Sequence, residues 1–197
     1  MIVLLVLACY ALGCFTAAYY LVHLRTGQDI RTMGSGTVGA RNAGRTLGRA
    51  GFAVTFAIDV AKGALAVGVA QALGVPPWAV MLAAIAVVAG HIWPAQLGFH
   101  GGKGLATALG AMLVYDYRVV VVVVILGLLM YAIFRKVTLS LLAAMALTPV
   151  MLFALGWPAI TWIGLLVLAA LIILAHRKNL HAELSELRPY PEKHDAG

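Results

Sequence analysis

Three short polar stretches carry most of the side chains suited to ionic chemistry. The first reads Gly34-Ser35-Gly36-Thr37-Val38-Gly39-Ala40-Arg41-Asn42, followed by Arg45 and Arg49. Glycines let a backbone approach a ligand closely, and successive N–H groups in such a turn form a nest for an anion. Ser35 and Asn42 add neutral donors, and the arginines add forked, charged donors that match a phosphate. A flexible cationic linker has a similar composition. The interleaving of serine, asparagine and arginine with glycine favours phosphate binding over that reading.

The second stretch runs Gly90-His91-Ile92-Trp93-Pro94, then Phe99-His100-Gly101-Gly102-Lys103-Gly104, with a helix expected from about Leu105. A glycine-preceded helix N-terminus binds anions through its free N–H groups and the helix dipole, and Lys103 supplies a point charge there. The spacing is not that of a nucleotide-binding P-loop, because Leu97 and Gly104 stand where glycine and a hydroxyl residue are needed. His91 alone reads as a packing residue and Trp93 as an interfacial anchor. The third stretch is His176-Arg177-Lys178-Asn179-Leu180. On a helix His176 and Asn179 share a face, although taken alone the cluster resembles an ordinary charged flank of a membrane span.

Other chemistries find no support. The chain lacks a G-x-S-x-G elbow. After His91 the H-x-x-x-x-D spacing fails at Gln96. No histidine has metal-ligand spacing with carboxylates, so neither a metal nor a cofactor is expected.

The elements that must position these stretches are read from composition. Of 197 residues 63% are apolar and only 11% are charged, against about a quarter charged in soluble domains. The expectation is an all-α integral membrane protein. The net charge of +7 is assigned to cytoplasmic loops, not to nucleic acid. Cys9 and Cys14 lie in the first apolar run and form no disulfide framework. That run, Met1 to Leu24, is long enough to span a ~30 Å core and lacks the basic start of a signal peptide. Further spans are expected at about Phe52–Leu73 and Trp78–Leu97, separated at Gly74-Val75-Pro76-Pro77, and as two between Val137 and Ala175, divided at Gly156-Trp157-Pro158. Gly104 to Phe134 is one bent span or two short ones parted by Tyr115-Asp116-Tyr117-Arg118.

Charge placement decides between these. Two spans there give about seven in all, with 12 of the 14 basic residues on one face. One span gives six, and the same residues divide evenly. The positive-inside rule favours seven, with the N-terminus outside and the C-terminus cytoplasmic. The chain then reads as a single transmembrane domain over residues 1–180, with cytoplasmic loops at 25–51 and 91–104 and a polar tail at 181–197. All three polar stretches share the cytoplasmic face. Asp59 and Lys62 lie within a span at a spacing that lets them pair, either as a structural ion pair or as part of the site. No internal repeat suggests inverted-repeat transporter architecture, but a small anion carrier is an alternative of another class.

Taken together, the three stretches resemble the bacterial acyl-phosphate:glycerol-3-phosphate acyltransferases, the PlsY family. The likeness extends from the first span to about Leu180. It rests on Gly34 to Asn42 with Arg45, on Gly90-His91, Pro94, Phe99, Gly101 to Gly104 and Thr107, and on His176, Arg177 and Asn179. Thr37 stands where the family usually has asparagine, Arg41 where it has threonine, and the residues after Asn179 differ from its usual ending.

The resemblance implies transfer of a fatty acyl group from acyl phosphate to the 1-hydroxyl of sn-glycerol 3-phosphate, giving lysophosphatidate and phosphate. It implies membrane lipids as partners and the bacterial inner membrane as location. Ser35, Arg45, Lys103, His176 and Asn179 would be catalytic, holding the acceptor phosphate. Gly34, Gly36, Asn42, Gly101, Gly102, Gly104 and Thr107 would be substrate-binding, with Asn42 and the Gly101–Gly104 turn on the acyl phosphate. His176 would be a general base, unless a substrate phosphate oxygen takes the proton. The residual alternative within the family is a non-catalytic relative or one with a different substrate.

Overall fold

A computed structural model describes residues 1–185. Residues 186–197, most of the expected polar tail, lie outside the described residues. The α-helices among the described residues are α1 (Ile2–Cys14), α2 (Ala17–Thr26), α3 (Ala40–Ala72), α4 (Pro77–Ile92), α5 (Leu105–Phe134), α6 (Val137–Ala154), α7 (Ala159–Ala175) and α8 (Arg177–Ser185), and those residues contain no strand. Among the described residues five helical stretches are long and apolar enough to cross a membrane: Ile2–Thr26, Ala40–Ala72, Pro77–Leu97, Leu105–Phe134 and Val137–Ala154; Ala159–Ala175 is apolar and shorter.

Helix α4 is the hub. Its residues from Ala79 to Ile92 are mostly buried, and it packs against α1, α3, α5 and α7. Small residues allow the close crossings that membrane helices need in the absence of a solvent-driven force. Gly13 of α1 rests on the Val87 carbonyl while Gly90 of α4 rests on the Tyr10 carbonyl. The crossing of α3 with α5 is built the same way, Gly63 against the Thr107 carbonyl and Gly110 against the Val60 carbonyl. A side chain at any of the four would separate the backbones.

Three helices are interrupted, and each interruption serves the polar ends. The first apolar run is two helices, because Phe15 and Thr16 are extended. The carbonyls freed there are satisfied by distant side chains. Lys62 Nζ donates to Gly13 O at 3.2 Å and to Phe15 O at 2.9 Å, and Gln96 Nε2 donates to Cys14 O. Helix α3 starts inside the expected loop, at Ala40, and is broken at Gly48, whose φ of 71° suits glycine. Its first segment thus carries Arg41, Asn42 and Arg45 at an angle to the apolar remainder. Helix α5 is broken at Asp116 (φ −164°, ψ 107°). The Asp116 carboxylate accepts the Arg118 N–H at 3.0 Å and pairs with its guanidinium at 2.6 Å, which caps the second half.

These breaks gather the connections at two ends. At one, Gln71 Nε2 donates to Val114 O at 3.1 Å, and the Arg118 guanidinium lies 4.9 Å over the Trp157 ring. At the other, the two glycine-rich loops meet α6 and α8. The ion pair inferred at Asp59 and Lys62 is present, with Lys62 Nζ 2.9 Å from Asp59 Oδ1. Both side chains are nearly fully buried, at 2% and 4% exposure.

Removing one partner of such a pair leaves an uncompensated buried charge. Lys62→Met is expected to cost roughly 3–5 kcal/mol of stability. The check is the thermal unfolding midpoint in detergent, where Lys62→Met combined with Asp59→Asn should recover a large part of the loss.

Candidate functional site

The first loop is locked to the helices by its apolar residues. Ile30 and Val38 are buried with Ala18 and Val22 of α2, Ala43 of α3 and Leu97. Its polar core is Asn42, which is fully buried. Asn42 Oδ1 accepts the Ser35 N–H at 3.0 Å, and its Nδ2 donates to the carbonyls of Ile30, Met33 and Thr37 at 3.2, 3.0 and 3.0 Å. Gly34 has a φ of 53°, and a Cβ there would collide with Asn42 Oδ1. Asn42 thus builds the loop; no amide proton is left for the acyl phosphate that the sequence reading assigned to it. What the loop presents outward is Ser35, whose Oγ lies 2.9 Å from Thr37 Oγ1, together with Gly36 and exposed Arg41 and Arg45.

The second loop is joined to the first by two hydrogen bonds. Arg31 Nη1 donates to Leu97 O at 2.9 Å, and the Val38 N–H donates to Gly101 O at 3.2 Å. The Gly101 and Gly102 N–H groups turn inward, onto the carbonyls of Ile92 and His91 at 3.1 and 3.0 Å. They complete the C-terminus of α4, so these two N–H groups are not free for the acyl phosphate that the resemblance assigns to the Gly101–Gly104 turn. The donors that remain begin at Lys103 and continue into the first turn of α5, whose N–H groups have no intrahelical partner. Gly104 caps that helix with a φ of 85°. Thr107 is fully buried and its hydroxyl has no hydrogen-bond partner, so it lies beneath the site and not on its surface.

The third stretch brings His176 to the end of α7, 3% exposed. Its Nδ1 is 2.8 Å from Ile172 O. A carbonyl only accepts, so Nδ1 donates, and the neutral ring leaves Nε2 as an acceptor. Asn179 follows within α8 and is half-buried.

Electrostatics join these parts. Burial, then the charges of Arg41 and Arg45, push the Lys103 ammonium below the ordinary lysine range, and Glu183 opposes them. Burial lowers His176 as well; the bond to Ile172 O raises it, and the charges of Lys103 and Arg41 add to the lowering. Arg41, Arg45 and Lys103 therefore form one cationic patch, with the neutral His176 beside it. Among the described residues Glu183 is the one carboxylate acting on Lys103 and His176. Such a patch stabilises a multiply charged anion.

The chain matches the family model described as glycerol-3-phosphate acyltransferase over residues 3–186. The chain belongs to that family. Glycerol-3-phosphate acyltransferase 1 of Desulfitobacterium hafniense (strain Y51) is 43% identical over 182 residues, which is 92% of this chain and 90% of the relative. Glycerol-3-phosphate acyltransferase 1 of Bacillus cereus is 35% identical over 89% of this chain and 96% of the relative. A crystal structure of PlsY, an integral membrane glycerol 3-phosphate acyltransferase, in its glycerol 3-phosphate form, superposes with a TM-score of 0.83 at 33% identity. The match covers 95% of this chain and 94% of that one.

In this glycerol-3-phosphate acyltransferase-family chain, two contacts escape the motif reading. Arg41 Nη1 donates to Thr138 Oγ1 at 3.3 Å, and the Leu139 N–H donates to Glu183 Oε2 at 3.0 Å. The first ties the first loop, and the second ties α8, to the N-terminus of α6. The only signal in sequence was the hydroxyl pair Thr138 and Ser140 after a charged turn, which is too common to single out.

A histidine with a folded-state pKa below its unfolded value binds its proton more readily when unfolded. His176 therefore contributes a loss of stability as pH falls below about 6.5, the ordinary histidine value. The unfolding midpoint should drop more steeply below that pH in the wild type than in His176→Gln.

Proposed function

We propose that this chain transfers a fatty acyl group from acyl phosphate to the 1-hydroxyl of sn-glycerol 3-phosphate, releasing 1-acylglycerol 3-phosphate and inorganic phosphate. The observation that carries the reading is the convergence of Arg41, Arg45, Lys103 and His176 beside two glycine-rich loops, in a chain of this family. Both substrates are phosphate anions, and their mutual repulsion must be offset before they can react. The acceptor hydroxyl attacks the acyl carbonyl carbon; the new ester C–O bond forms and the bond to the phosphate oxygen breaks. Phosphate is a good leaving group, so no covalent enzyme intermediate is required.

Ser35, Arg45, Lys103, His176 and Asn179 hold the acceptor phosphate in this proposal, with Gly34 and Gly36 shaping the first loop around it. Lys103 and the first N–H groups of α5 meet the charge that develops on the carbonyl oxygen, with Gly101, Gly102 and Gly104 setting the turn that presents them. The acceptor's proton passes to His176 Nε2 or to a substrate phosphate oxygen. A His176→Gln variant of unchanged rate excludes His176 as the base.

The same reading treats residues 1–180 as one transmembrane domain. Counting α1 with α2 as one passage and α5 as two gives seven, with the N-terminus outside and the glycine-rich loops facing the cytoplasm of the bacterial inner membrane. Basic residues on those loops support that orientation. Membrane lipids surround the helices and receive the product. Family membership disfavours a simple anion carrier.

The test is product formation by the purified protein in detergent from palmitoyl phosphate and glycerol 3-phosphate, with acyl-CoA and acyl carrier protein donors in parallel. Equal release of phosphate and lysophosphatidate from acyl phosphate alone is expected. Lys103→Ala should lower kcat by about 10²–10³, the usual cost of one oxyanion donor, with an unchanged unfolding midpoint. A wild-type rate in that variant removes Lys103 from the mechanism.

A further inference from the structure

Beneath the second loop lies a buried cluster that the proposed reaction does not use. Asp59, Lys62 and His91 are exposed by 2%, 4% and 3%. The Lys62 ammonium has three protons and three hydrogen-bond partners: Gly13 O at 3.2 Å, Phe15 O at 2.9 Å and His91 Nδ1 at 2.8 Å. Asp59 Oδ1, 2.9 Å from Nζ and 3.4 Å from His91 Nδ1, supplies the compensating charge. An ammonium has no lone pair. His91 Nδ1 must therefore accept, and the neutral ring carries its proton on Nε2. The lysine thus dictates both the tautomer and the orientation of the imidazole.

The other edge of that ring abuts the second loop. A Cβ added at Gly102 would overlap His91 Nε2, with Cε1 at 2.7 Å and the Val38 carbonyl oxygen at 2.8 Å. The His91 carbonyl meanwhile accepts the Gly102 N–H at 3.0 Å. One residue thus touches the loop twice, once through its backbone and once through its ring. The next residue in the chain is Lys103.

We propose that His91, held by Lys62, is a positioning residue that sets the height and direction of Lys103. The ring is a spacer of defined thickness between a fixed buried charge and the loop. At position 102 only glycine, lacking a Cβ, rests on that edge without overlap. For its kinetic readout this inference rests on the proposed acyl transfer; for its binding readout it does not.

Two substitutions test it. His91→Asn keeps an acceptor near the Nδ1 position for Lys62 but withdraws the ring edge from Gly102. Gly102→Ala adds a methyl where that edge lies. Wild-type turnover is measured first; if it is absent, the acyl-transfer reading fails. The same comparison is then made by thermal stabilisation with glycerol 3-phosphate as probe.

In folded protein each single variant should raise KM for a phosphate substrate, or weaken the stabilisation, by about tenfold or more, since small misplacements of a binding group carry such costs. A purely structural role would reduce the folded fraction and leave KM alone. In the double variant the overlap with the ring is gone while the contact with the Val38 carbonyl remains, so its KM should fall below that of Gly102→Ala without returning to the wild-type value. Losses that simply multiply in the double variant, or a wild-type KM in folded His91→Asn, overturn the proposal. Should His91→Asn yield no folded protein, Gly102→Ala decides alone, and a wild-type KM there overturns it.

Discussion

The Lys62 ammonium is the contact on which the arrangement of the polar end depends. It joins the broken end of α1, the middle of α3 and the last turn of α4, three elements far apart in the chain. In hydrocarbon an exposed carbonyl costs several kcal/mol. The extended residues at Phe15 and Thr16 are tolerable because a buried cation and Gln96 satisfy the freed carbonyls. The cation in turn is tolerable because Asp59 and those same carbonyls surround it. Neither feature would be stable without the other. Together they fix where α4 ends, and therefore where the second loop starts.

The two glycine-rich loops have different internal economies. The first is organised around a single amide, Asn42, which gathers backbone groups from four residues. The second is organised around the open end of a helix, whose carbonyls are closed by Gly101 and Gly102. In both, atoms that look available for a ligand are committed to holding the loop. The charges that project are left for the ligand. A loop so constrained keeps its cations close despite their repulsion, and it does so before any phosphate arrives.

Much of this was legible in the sequence where the physics is local. Long uncharged runs mark the helices. Pro77 starts α4, Gly104 starts α5, and Tyr115-Asp116-Tyr117-Arg118 marks the break in α5 because the acidic cap and its arginine are neighbours. The break at Phe15 was hidden, since its cause, Lys62, is 47 residues away. Asn42 was misassigned for the same reason: its partners Ile30 and Met33 precede it across a loop whose path no spacing rule specifies. Composition said which residues could bind phosphate. It could not say which were already engaged. Nor could it place Glu183 against Leu139, a meeting of two helices whose separation in the chain carries no periodic signal.

The interruption of α5 has a geometric consequence. From Leu105 to the break at Asp116 the helix has only 11 residues, about 16 Å of rise at 1.5 Å each. That is roughly half of a ~30 Å hydrocarbon layer. In the proposed seven-passage arrangement the Asp116 turn lies at one interface, and Lys103 stops short of the other, at the base of a recess that opens toward the glycine-rich loops. For the proposed reaction, that arrangement would let a lipid-borne donor keep its tail among the acyl chains while its head reaches the cations, and the water-soluble acceptor would be the partner that descends.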